Sequence, residues 1–337
     1  MGFLDRGCEM VDSDRIDKLI AAVPPALALR ASLELGLFTR LGGSAMTADD
    51  LGAALNVEPA RLSRLLYALA SIGLLDVKDG QFRNGAEAAA FLDASKPTYR
   101  GGDHALLREI WGADLLTAES LRQNRPAALH DFSEAGPQDA AAFSRMLAPG
   151  GLIFGRHLAR EIDLSAIGSV IDIGGGPGTI LVGLRERWPN MAATLMELPT
   201  VAAVAPEILS EYGADDVVVE AGDITVAPSI GRHDLAILKA VVQVLPPDQA
   251  RRSILNAARC LTPAGEIAIA GSGVVDDDRL GPPEGVFLNL TFLNLYRHGE
   301  SYTEGQYRAW MTEAGFRDIS RSRLPDGSTL FRARLTG

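Results

Sequence analysis

The run Val170-Ile171-Asp172-Ile173-Gly174-Gly175-Gly176-Pro177-Gly178-Thr179 constrains this chain more than any other segment. An apolar strand runs into an acidic residue and then into glycines spaced two apart. Such a turn lets the backbone approach a nucleotide-like ligand closely, because a Cβ at those positions would collide with it. The dinucleotide fingerprint G-x-G-x-x-G would need its last glycine at position 179, and that residue is Thr179. It would also offer the first helical turn to a pyrophosphate. The order found here, D-x-G-x-G-x-G, suits a cofactor without phosphate and sets an NAD-linked oxidoreductase aside. An ordinary strand-to-helix turn has a similar composition, so the assignment depends on the segments downstream of it.

From position 169 onward short apolar strands alternate with helices. Strands are predicted at 169–173, 193–196, 217–220, 235–238 and 266–270, and a final pair near 317–321 and 329–334 closes the sheet. Alternation of this kind means a parallel sheet covered on both faces, with its ligand at the carboxyl ends of the strands. Polar residues fall at those ends. Glu197 ends the second strand, where an acid can accept both ribose hydroxyls. Gly222-Asp223-Ile224 follows the third, where a carboxylate can accept from an adenine amino group while Ile224 packs on the ring. Leu238-Lys239 ends the fourth, where Lys239 can reach a cofactor carboxylate or line the wall. Each is ordinary alone; their order and spacing make the signal.

The N-terminal third has a different pattern. Residues 14–41 read as helical, with Pro24-Pro25 expected to break or kink the run. Thr47 reads as an N-cap followed by Asp49 and Asp50. Pro59 suits the first turn of the next helix, where Leu62, Leu65, Leu66 and Leu69 form an apolar stripe that Gly73 ends. Residues 74–77 and 81–83 flank Asp79-Gly80, a hairpin signal. Helix, helix, hairpin is a winged-helix layout. Arg61 and Arg64 on its second helix allow a DNA-binding, ligand-sensing regulator, but the chain carries a net charge of −11. Phosphate binding needs clustered cations, so a packing or dimerisation module is the preferred reading and no nucleic-acid partner is expected. Further helices are predicted at 102–123 and 138–161, with a loop at 124–137.

No stretch approaches the ~20 apolar residues of a membrane span, and the N-terminus lacks a secretory apolar core. Cys8 and Cys260 match no metal or redox spacing, so a cytoplasmic location and no metal are expected.

These features together resemble the caffeate and acetylserotonin type of O-methyltransferases, in their bacterial form, whose glycine turn is the first motif of class I S-adenosylmethionine (SAM) methyltransferases. Further matching runs are Asp163-Leu164-Ser165, Glu197-Leu198-Pro199, Leu261-Thr262-Pro263-Ala264-Gly265 and Ala314-Gly315-Phe316. The family usually has Asp where Glu197 stands. The resemblance implies an α/β fold: a Rossmann-like domain with a mostly parallel seven-stranded sheet, preceded by a mainly helical winged-helix dimerisation domain. Boundaries are expected at 1–100, 101–160 (linking helices over the acceptor pocket) and 161–337. It implies a homodimer that methylates a small molecule and releases S-adenosylhomocysteine (SAH). The cofactor site would comprise Asp172, Gly174, Gly176, Gly178, Glu197, Leu198, Asp223, Ile224 and Lys239. Trp111, Phe143, Met146 and Asn294 would line the acceptor pocket.

The departure from the family is as informative as the match. In its L-K-x-V-L-H-D-W motif the family carries a general-base histidine. The corresponding run is Leu238-Lys239-Ala240-Val241-Val242-Gln243-Val244-Leu245, so Gln243 takes the histidine position. The carboxylate that orients that histidine falls on Gly271, and a second acidic helper survives as Glu300. A glutamine amide does not titrate near neutral pH and cannot be the base. Three explanations stand: an acceptor that needs no base (sulfur, a neutral amine, an enol-like carbon), a substitute such as His298, or a SAM-binding protein with non-methylating chemistry. The first is preferred because it relocates no machinery. An acid acceptor would also want a cation, for which Arg297 and Arg145 are candidates.

Overall fold

A computed structural model describes residues 13–96, 99, 104–129 and 136–336. Cys8, His130 and the middle of the predicted 124–137 loop lie outside them. The chain divides into two compact units between Arg108 and Glu109.

The first unit contains α1 (Asp14–Ala21), α2 (Val23–Glu34), α3 (Leu37–Leu41), β1 (Met46–Thr47), α4 (Ala48–Leu55), α5 (Pro59–Ser71), β2 (Leu75–Lys78), β3 (Gln81–Asn84) and α6 (Ala86–Phe91). The helical run breaks at Pro24 and Pro25, as expected: α1 ends at Ala21 and the prolines sit in the first turn of α2, where no intrahelical N–H is needed. Thr47 caps α4 by accepting from the Asp50 N–H at 3.1 Å. Asp79 and Gly80 both adopt positive φ (51° and 74°), the turn whose twist matches a two-residue hairpin. The strands order as β1-β3-β2. Phe38, Leu51, Leu62, Leu66 and Phe82 fill the core, while Arg61 and Arg64 are exposed.

In the second unit α7 (His104–Asp114, which begins before the division), α8 (Thr117–Gln123) and α9 (Pro137–Glu161) precede the sheet. There follow β4 (Ser169–Ile173), α10 (Thr179–Arg185), β5 (Ala192–Glu197), α11 (Pro199–Ala202), α12 (Ala205–Glu211), β6 (Val218–Ala221) and β7 (His233–Lys239). The chain continues through α13 (Pro247–Arg259), β8 (Leu261–Gly271), β9 (Val274–Val275), α14 (Pro283–Leu295), β10 (Tyr302–Thr303), α15 (Glu304–Glu313), β11 (Phe316–Arg323) and β12 (Thr329–Leu335). Seven strands order as β11-β12-β8-β7-β4-β5-β6, with only β12 antiparallel to its neighbours. The fold is the expected one. β8 begins at Leu261, five residues earlier than predicted, because Leu261 pairs with His233 ahead of a register shift.

Alternation along β4 decides what the sheet buries. Ile171 and Ile173 join the apolar cluster on one face, Val170 that on the other, and Asp172 shares the Val170 side. On that side α9 crosses α10 so closely that a Cβ at Gly155 would lie 2.2 Å from the Ile180 carbonyl oxygen. Gly155→Ala gains up to ~1 kcal/mol of helix propensity but forces the helices apart. A net destabilisation of about 2 kcal/mol is expected in urea titration, and an unchanged midpoint would refute the crossing.

Candidate active site

The sheet reverses direction of growth between β4 and β7, and the crevice at such a switch point lies outside the carboxyl ends of those strands. The glycine turn leaves β4 there and Lys239 ends β7. Gly174, Gly176 and Gly178 all have positive φ (67°, 58° and 78°). Above Gly176 a Cβ would meet nothing nearer than the Leu147 Cδ1 at 4.0 Å, so the turn is open to a closely approaching ligand.

Two acids flank the turn. Glu197 Oε1 accepts from the Gly176 N–H at 2.9 Å and Oε2 from the Leu198 N–H at 2.6 Å. Burial raises the Glu197 pKa, and those two N–H donors partly oppose it. Asp172 is fully buried, and among the described residues neither of its carboxylate oxygens has a hydrogen-bond partner. Burial, reinforced by the Glu197 charge and opposed by Lys239, pushes its pKa up to about 7. Its Oδ2 would lie 2.1 Å from a Cβ on Gly175, so only glycine closes over it. An uncompensated buried carboxylate is costly, and a site that keeps one is suited to a cationic ligand. Asp223 Oδ1 accepts from the Thr225 N–H at 2.8 Å. Ile224 is buried in the apolar cluster, with its carbonyl taken by Asn256. The Lys239 ammonium sits 5.6 Å from the Phe154 ring centroid.

Gln243 lies in a short 3₁₀ turn (Val242–Val244) after β7 and is buried. Its Oε1 accepts from the Gly273 N–H at 2.8 Å, and its carbonyl accepts from the Glu300 N–H at 3.0 Å. A Cβ on Gly271 would lie 2.3 Å from that same Oε1, and one on Gly273 2.8 Å. The Gln243 side chain therefore fills the space beside both glycines. Glu300 pairs with Arg279 at 2.8 Å.

The other expected residues divide. Arg145, a candidate for gripping an acidic acceptor, pairs at 2.7 and 2.6 Å with Glu207 and Glu211. Arg297 and His298 are exposed on a bend after α14. Asn294 is fully buried, donates to Thr117 Oγ1 at 2.9 Å, and keeps an unpartnered Oδ1. Trp111, Phe143 and Met146 are half-buried on α7 and α9. Among the described residues no cluster of His, Cys, Asp and Glu could hold a metal, and no helix is long and apolar enough to cross a membrane.

Sequence reasoning missed Gly273, Leu147 and the contact made by Thr179. The only signal for the first was the Gly271-Ser272-Gly273 run after β8. Thr179 was noted as a missing fingerprint glycine, yet its hydroxyl donates to the Ala148 carbonyl at 2.8 Å.

Comparison with known proteins agrees with this geometry. A family model described as an O-methyltransferase domain matches residues 124–317, and one described as an O-methyltransferase dimerisation domain matches residues 25–94. The chain is 28% identical to 3-hydroxy-5-methyl-1-naphthoate 3-O-methyltransferase of Streptomyces sahachiroi, over 88% of this chain and 87% of that protein. It is 27% identical to N,N-dimethyltransferase OxyT of Streptomyces rimosus, over 91% of each. Among solved structures, human N-acetylserotonin methyltransferase in complex with SAM superposes with a TM-score of 0.80 at 22% identity, covering 98% of this chain and 99% of that one.

Proposed function

The chain belongs to the O-methyltransferase family, and from that premise we propose that it transfers the SAM methyl group to a small molecule at a sulfur, nitrogen or activated carbon atom. The cofactor part rests on one observation above all: a buried, unpartnered Asp172 beneath an open glycine turn that Glu197 braces. Bound there, SAM supplies a sulfonium methyl for in-line displacement. Asp172 beneath the turn would offset that positive charge, the Glu197 carboxylate would take the ribose hydroxyls, and Asp223 the base. Lys239 serves the cofactor's carboxylate or the wall beside it.

The acceptor part rests on Gln243. Its oxygen is committed to the Gly273 N–H, so the group left to it is the NH₂, a donor. A fixed donor orients an acceptor but takes no proton, which favours atoms that need no base. The N,N-dimethyltransferase among the relatives is consistent with such an acceptor. Arg297, exposed beside the site's last helix, remains the candidate cation for an acidic substrate. The dimerisation-domain match supports a homodimer as the working form.

Calorimetry with SAM and SAH tests the reading. Both should bind the native protein, and Glu197→Ala should weaken each by about 2 kcal/mol, the scale of lost charge-assisted hydrogen bonds. Gln243→Leu should leave both affinities unchanged. Failure of either ligand to bind the native protein would overturn the assignment. SAM binding without methylated product across thioether, amine and enol acceptors would instead point to non-methylating chemistry.

A further inference from the structure

The long helix α9 runs unbroken from Pro137 to Glu161 with Pro149 inside it. Pro149 has no N–H, so the Arg145 carbonyl loses its helical partner and the helix is weakest between residues 145 and 149. The half after the proline is locked onto α10 through Gly155, whose Cβ would strike the Ile180 carbonyl, and Gly183, whose Cβ would strike that of Leu152. The half before it, 137–148, carries Phe143 and Met146, the expected acceptor walls.

Three contacts of that first half lead back to the cofactor turn. Leu147 lies over Gly176. Arg145 pairs with Glu207 and Glu211 on α12, and Leu209 of that helix packs against Gly178. Third, Thr179, the residue that ends the glycine turn, donates its hydroxyl to the Ala148 carbonyl at 2.8 Å. The ion pairs are exposed and contribute little. Thr179 is completely buried and its bond is the polar link that survives desolvation. Its seat is specific, because a Cβ on Gly151 would lie 2.4 Å from its Oγ1.

We infer that Thr179 is a positioning residue: it hooks the glycine turn to α9 next to Pro149, so that filling the cofactor site orders the acceptor wall. This rests on the proposed cofactor reading and adds an order to it, cofactor first and acceptor second. Ligand that binds only the ordered turn lowers the free energy of the hooked arrangement, and the hook carries that preference into 137–148. The bond needs one hydroxyl hydrogen, which serine supplies and valine, of nearly the same shape, does not.

Hydrogen exchange on the full chain, with and without saturating SAH, tests it. In the native protein SAH should slow exchange in both 173–180 and 137–148, the latter by about tenfold. Thr179→Ser should keep both effects. Thr179→Val should keep the slowing at 173–180 and lose that at 137–148, a split that general destabilisation does not produce. Equal slowing of 137–148 in the native and valine proteins would overturn the inference. So would native protein in which SAH slows the turn alone. Should Thr179→Val fail to fold, the native and serine proteins still decide, since loss of the 137–148 effect in either refutes the hook. Absence of any slowing at 173–180 in the native protein would refute the cofactor site itself.

Discussion

Asp172→Asn should stabilise the ligand-free protein at pH 8 and leave it nearly unchanged at pH 5. The carboxyl has an ordinary pKa of 3.8 and is pushed up to about 7 by burial, with Glu197 adding to the effect. Between those two values the unfolded chain has released a proton that the fold retains. The native state binds more protons there, so stability is fully present below pH 3.8 and is lost as the pH rises through 7. A shift of that size corresponds to roughly 4 kcal/mol. An asparagine amide removes the charge but stays unpartnered, at a cost of about 1–2 kcal/mol, so the net gain at pH 8 is about 2 kcal/mol. Urea titrations of both proteins across pH 5–8 measure it. Parallel pH profiles would show that Asp172 ionises normally. The same charge should act on ligand binding. On the proposed reading, SAM affinity of the native protein should rise from pH 6 to 8 as the Asp172 carboxyl beneath the turn ionises. SAH, which lacks the sulfonium charge, should respond less, and the difference should vanish in the asparagine variant.

How much of this was legible in the sequence depends on which forces are local. The strand-turn pattern of 170–179, the hairpin at Asp79-Gly80 and the Thr47 cap are written in neighbouring residues, and the structure has all three. The candidate acids at strand ends were legible because a parallel sheet gathers its carboxyl ends at one pole. That Asp172 has no partner was not, since it depends on how α9, α10 and Gly175 close over it. Arg145 shows the opposite limit. Its helix was legible, but the glutamates that claim it lie 62 and 66 positions further along the chain. The break at Pro24 and Pro25 was legible too, because proline ends one helix and can start the next at its first turn.

Gly271→Asp should be the most damaging single change at the acceptor side, and Gln243→His should repair part of it. In sequence these positions lie 28 residues apart. In the structure they meet: a Cβ at 271 would stand 2.3 Å from Gln243 Oε1, the atom that accepts from the Gly273 N–H. An aspartate there must displace a buried amide and brings a carboxylate against the amide oxygen. The variant loses a buried hydrogen bond and gains an unpaired buried charge, together about 3–4 kcal/mol. Histidine at 243 replaces the repelling oxygen with a ring N–H that can donate to the new carboxylate. Gln243→His alone gains no such partner and should lose about 1–2 kcal/mol with the Gly273 bond. The double variant should therefore be more stable than the sum of its parts by at least about 1 kcal/mol, a coupling read from a double-mutant cycle in urea. Simple additivity would mean that Gln243 and Gly271 do not share one space. Coupling, with SAM affinity held constant throughout, would show that a base cannot be restored one residue at a time, because the amide and the glycine occupy the volume that the base and its carboxylate would need.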